Sequence, residues 1–164
     1  MVLSSWKAVR EDTAQAVEDF PEGEMDYRPT PDLMTFRVSG GHILDAGHIL
    51  TGALLDEVDN MNTPDFRERM KKYKPQLQAE LDSAALAGAL RTELEPRIAE
   101  LAARPAEFYA GEITRFDGQR VTRLEMLQFV KEHELTHRSQ LFMYLRLKGI
   151  VPSTTRRRLA KAKA

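Results

Sequence analysis

The chain contains no cysteine among its 164 residues. That excludes disulfides and thiolate metal ligands, and it fits a reducing cytoplasm without requiring one. No apolar run approaches the roughly 18 residues of a membrane span, and the opening Met1-Val2-Leu3-Ser4-Ser5-Trp6-Lys7 lacks the apolar centre of a secretory signal. The expectation is a cytoplasmic protein without a membrane partner. Neither sign of charge dominates: 24 Lys and Arg stand against 25 Asp and Glu, which argues against a dedicated nucleic-acid binder. The basic residues are uneven, however, with Arg156, Arg157, Arg158, Lys161 and Lys163 crowding the end of an otherwise acidic chain. A terminal basic run reads as a solvated, fraying end. Residues 1–155 are therefore expected to form one helical domain and 156–164 a flexible tail. No internal repeat, low-complexity tract or linker divides the sequence.

What the chain does have is helical periodicity. Leu3, Trp6, Val9, Thr13, Ala16, Val17 and Phe20 keep three- and four-residue spacing, with Arg10, Glu11, Asp12 and Glu18 between them, so a first amphipathic helix is expected. Pro21, Pro29 and Pro31 then force an extended connection. Thr35 can cap a second helix reaching about Asn60, in which Gly40-Gly41 before His42 costs roughly 1 kcal/mol per glycine relative to alanine. Such a cost points to another helix approaching closely there. The alternative start is Ser39-Gly40-Gly41 itself. Thr63-Pro64-Asp65 reads as a cap with proline at the first helical position, opening a short helix that ends near Lys71 and Lys72. Leu86, Leu90, Leu94, Ile98 and Leu101 form one stripe from Asp82 or Ser83 to Pro105, with a kink expected at Pro96. Asp117-Gly118 sits where a hairpin turn belongs, between Ile113 and Val121, although an isolated two-stranded ribbon is marginal. From Arg123 to Lys148 runs the longest pattern. Thr122 with Glu125 spells a capping box, Met126, Phe129, Val130, His133, His137, Leu141 and Tyr144 share a stripe, and Gly149 and Pro152 mark the stop. Four long amphipathic helices make an all-α four-helix bundle the economical fold. The long connection from about residue 61 to 82 leaves the second and third helices free not to be antiparallel neighbours.

All four histidines fall on two of these helices. His133 and His137, four apart, lie one above the other on one face, the spacing a single metal ion needs. His42 and His48 are six apart, roughly 240° around their helix, so only one of them can join that pair. His133-Glu134-Leu135-Thr136-His137 also spells the zincin HExxH, where the glutamate is the general base. No histidine follows within the remaining residues to serve as a third zincin ligand, so the match reads as accidental with respect to proteolysis.

Pro29-Thr30-Pro31, then Thr35-Phe36 and His42-Ile43, followed far downstream by His133-Glu134-Leu135-Thr136-His137-Arg138-Ser139-Gln140-Leu141 and Tyr144-Leu145-Arg146-Leu147-Lys148-Gly149-Ile150-Val151-Pro152, resemble the pattern of the DinB/YfiT-like metalloenzyme family across nearly the whole chain. Ser139 replaces a glycine usual in that pattern, and Gly40-Gly41 replace acidic or bulkier residues. The resemblance implies a helical bundle with His42, His133 and His137 as ligands of a divalent metal, commonly nickel or zinc. It further implies chemistry on a small-molecule substrate, as in relatives that are transferases or isomerases using low-molecular-weight thiols, and a homodimer. His42 also has Ala46, Ile49 and Ala53 below it, whereas His48 shares its side with Leu44, Asp45 and Thr51, a more mixed surface where an imidazole can stay solvated. Three imidazoles with open positions is a catalytic rather than a structural arrangement, and with it the resemblance implies a metal-dependent enzyme such as a thiol S-transferase or a hydrolase. A non-catalytic bundle, with histidines in its core or a metal as staple, is the competing reading. Gln140 and Tyr144, seven and eleven residues beyond His133, are candidates for lining the pocket, with ordinary packing the alternative role for Tyr144.

Overall fold

The computed structural model describes residues 2–76 and 81–163. Helix α1 spans Val2–Glu18, α2 Phe36–Leu55, α3 Phe66–Met70, α4 Ser83–Thr92, α5 Leu94–Ala102 and α6 Ala106–Ala110. Strands β1 (Glu112–Thr114) and β2 (Arg120–Thr122) follow, then α7 (Arg123–Leu147) and α8 (Ser153–Lys161). The fold is mostly helical. Helix α4 packs chiefly on α1, while α2 packs on α7, and α1 also contacts α7. The α4–α5 stretch is thus principally a partner of α1, consistent with the long connection that precedes it; residues 77–80 of that connection lie outside the described residues. Among the described residues no helix is long and apolar enough to cross a membrane.

The helix boundaries follow local chemistry. Thr35 accepts the Val38 N–H and starts α2 at Phe36, so the start is the threonine cap and not the glycine pair, and the helix ends at Leu55, short of Asn60. A Cβ on Gly40 would lie 2.9 Å from Leu86 Cδ2 of α4, whereas one on Gly41 would meet nothing within 4 Å. Only the first glycine is required by a close approach. Thr122 and Glu125 form both halves of the capping box on α7. Gly149 takes φ +76° past its end, a conformation that favours glycine. Thr63-Pro64-Asp65 does not cap a helix; Phe66 N–H bonds Thr63 O in a turn, and α3 begins one residue after Asp65 without a side-chain cap. The expected kink lies earlier than Pro96. The proline ring clashes with the carbonyl four residues back, which belongs to Thr92, the last residue of α4, and α5 restarts at Leu94.

The β1–β2 ribbon turns at Gly118, φ +84°. It escapes the weakness of a free hairpin because Met61 N–H bonds Thr114 O and Thr114 N–H bonds Asp59 O, giving β1 a second partner. Ile113 is buried beneath it. The terminal basic segment is helical as far as Lys161. Arg156 bonds Asp19, and Arg157 bonds Asp12, which also receives Arg138 of α7. Two adjacent arginines meet acids on α1 that the linear sequence does not pair with them.

Among the described residues two apolar clusters fill the interior. One centres on Trp6, Leu54, Leu94, Leu101 and Met126; the other on Phe20, Phe36, Leu86, Leu90 and Leu141. Between them lies a buried ion pair. Arg10 Nε bonds Glu134 Oε1 at 2.8 Å, Arg10 Nη2 bonds Glu134 Oε2 at 2.9 Å, and Trp6 Nε1 donates to Oε2 at 2.6 Å. Arg10 Nη1 also reaches the Leu90 carbonyl. Gly47 makes room for this group, since a Cβ there would stand 3.0 Å from Arg10 Nη2. Arg10 therefore faces the interior, not the solvent side where the spacing of the first helix placed it.

Candidate metal centre

His42 projects from α2 toward α7, where His133 and His137 stand one turn apart. The His42 and His133 Nε2 atoms are 3.1 Å apart. One ligand nitrogen from each of the three rings can be chosen so that all lie within 4.8 Å of one another. For comparison, nitrogens at about 2.05 Å from a tetrahedral ion are about 3.4 Å from each other. The set could hold a metal ion with small side-chain adjustments.

The electrostatics suit ligation as well. Burial, followed by the neighbouring His137 and His42, pushes the His133 imidazole down to about 4. Burial and then His137 lower that of His42. Neutral rings keep the lone pairs a metal requires. Gln140, although exposed, places Oε1 2.9 Å from His137 Nδ1. With the proton on Nδ1 donated to that oxygen, Nε2 is left free to ligate. Gln140 thus supports a histidine from outside the pocket instead of lining it. Tyr144 is buried and donates its hydroxyl to the Met34 carbonyl at 2.9 Å, a packing role.

Glu134 lies away from the site, in line with an accidental HExxH match, whereas His48 lies elsewhere than expected. Glu134 points away from the three rings into its pair with Arg10, so the HExxH spelling places no base at the site. His48 is buried, not solvated, with Nε2 lacking a hydrogen-bond partner and 3.8 Å from Glu93 at the α4–α5 break. A helix kink brings Glu93 to it, and that cannot be read from the spacing on α2.

A cavity of about 580 Å³ opens beside His42 and His133, bounded by α2, α3 and the ribbon. Phe129, four residues before His133 on the same stripe, leads from His133 to Phe116 at the ribbon turn; the ring centroids are 6.3 Å apart for Phe129–His133 and 5.7 Å for Phe116–Phe129. Asp45 and Lys74, an ion pair, also line it. Phe116, Arg67 and Lys74 escaped the sequence reading because they come from the ribbon and the long connection, and only the tertiary fold brings them to α2.

The lowered histidines set a pH dependence for the metal-free protein. His42, His48 and His133 all bind protons less readily when folded than at their ordinary value of 6.5. The unfolded chain therefore takes up more protons below pH 6.5, so stability is full above that value and falls as pH drops toward 4. Urea titrations at about pH 7 and about pH 5 should show a lower midpoint at the acid value, with His133 contributing about 1 kcal/mol once its half-exposed ring is discounted. His133→Gln should reduce the difference, leaving the share of His42 and His48; an unchanged difference would contradict the assignment.

The chain matches the DinB family model over residues 1–163. It is 27% identical over 150 residues to the uncharacterized protein YjoA of Bacillus subtilis (strain 168), covering 90% of this chain and 89% of that one. The crystal structure of the DinB-like protein YjoA from Bacillus subtilis superposes with a TM-score of 0.69 at 24% identity, over 90% of this chain and 92% of the other. The family match spans nearly all of the sequence and the fold agrees with it: the chain belongs to the DinB family.

Proposed function

We propose that this protein is a divalent-metal enzyme in which His42, His133 and His137 supply all the protein ligands, within a bundle formed by α1, α2, α4–α5 and α7. The observation that carries the reading is the convergence of three half-buried imidazoles at the edge of an open cavity. Zinc and nickel both suit such a donor set. A bound ion would lower the pKa of a water or thiol and polarise a carbonyl. The chain's own residues do the rest. Gln140 fixes the His137 tautomer, Phe129 and Phe116 screen the mouth from water, and the Asp45–Lys74 pair supplies charge beside His42. A small-molecule reaction, either S-transfer from a low-molecular-weight thiol or hydrolysis, fits a chamber of this size.

The alternative is a non-catalytic bundle in which a metal merely staples α2 to α7 through the same three rings. The test is turnover by zinc- or nickel-loaded protein with thiol and electrophile pairs and with simple esters. Activity lost in His133→Ala supports an enzyme; no turnover with any pair or ester leaves the staple reading in place. Gln140→Leu should weaken metal binding by about 10- to 100-fold while leaving the helices folded, as read by titration and circular dichroism. An unchanged affinity would remove Gln140 from the site.

A further inference from the structure

The basic segment that closes the cavity has an uneven pattern of partners. Arg69 pairs with Asp65, Lys71 with Glu68, Lys72 with Asp56 and Lys74 with Asp45. Among the described residues, Arg67 alone of this group has no acidic partner and no hydrogen bond, and it lines the cavity that His42 and His133 border. Part of the cavity wall is aromatic. Phe116 is 43% exposed, and it meets Phe129 edge-on. That wall is stiffened from behind: the Arg115 guanidinium lies 4.8 Å from the Phe129 ring centroid and is anchored to Asp117. One chamber therefore combines an apolar shelf, an uncommitted guanidinium and an edge of neutral imidazoles.

We propose that this cavity binds a small molecule with an apolar body and a terminal carboxylate, the body lying on Phe116 and Phe129 and the carboxylate pairing with Arg67. The guanidinium fork matches a carboxylate in two parallel hydrogen bonds, and the shelf gains from covering an exposed ring. The inference deepens the proposed function by naming the class of its substrate, and it rests on reading this chamber as the substrate site. It does not rest on the metal.

The test uses the full-length protein after chelator treatment, titrated calorimetrically with 4-phenylbutyrate and with the uncharged 4-phenylbutyramide. The acid should bind at least about tenfold more tightly than the amide, the scale of one charge-assisted interaction. Arg67→Gln should abolish that preference and leave the amide unchanged, and Phe116→Ala should weaken both ligands. Both residues are on the surface, so the variants are expected to fold. Equal binding of acid and amide, no heat with either, a preference retained in Arg67→Gln, or indifference to Phe116→Ala would each overturn the proposal. A parallel cobalt titration separates the two readings: loss of stoichiometric cobalt binding sinks the metal site alone, and loss of acid preference sinks the carboxylate site alone.

Discussion

Arg10→Ala should lower the folding free energy by about 3–5 kcal/mol, the cost of leaving one member of a buried pair uncompensated. The Glu134 carboxylate is 2% exposed and accepts from Arg10 Nε, Arg10 Nη2 and Trp6 Nε1. Without Arg10 it keeps only the indole, in an interior that solvates charge poorly. Glu134→Ala should cost as much for the converse reason. Arg10→Met with Glu134→Leu should cost far less than either single change, because no charge remains to be desolvated. Urea unfolding of the three variants reads this directly. A loss below about 1 kcal/mol in both single variants would place the pair in the class of solvent-exposed bridges and refute its structural role. The result matters for the site because Glu134 adjoins His133, so the pair fixes the rotation of α7 that presents both of its histidines to α2.

The second large effect concerns the ligands. His42→Ala, His133→Ala and His137→Ala should each abolish stoichiometric zinc or nickel binding, since two imidazoles hold an ion far more weakly than three. His48→Ala should leave affinity nearly unchanged, because its ring lies against Glu93 and not among the other three. It should instead cost stability, as a buried ring is replaced by a smaller side chain. Metal retained by His42→Ala and lost by His48→Ala would mean that the wrong residue of α2 had been assigned.

The contrast between these two sets of residues shows what can be read from a linear chain. The histidine pair on α7 follows from helical period alone, and the capping box that sets the helix's start was visible as Thr122 and Glu125. His42 needed the family pattern, since spacing only says that one of two histidines can face the pair. Arg10 was misplaced because a charged residue within an amphipathic helix is normally solvated; its acid lies 124 residues away. The same applies to the terminal helix, whose arginines find Asp12 and Asp19 only after α1 and α8 come together. Periodicity reports which face of a helix is apolar, and pairings across the core depend on how the helices rotate against one another. The cavity was illegible for that reason too: its walls come from α2, α3, the ribbon and α7.

The most direct test of a three-histidine site is anomalous diffraction from crystals of untagged protein soaked in zinc. One strong peak about 2.0–2.1 Å from a ring nitrogen of each of His42, His133 and His137 is the predicted result. No peak among these rings, or a peak ligated by His48 in place of His42, would contradict it.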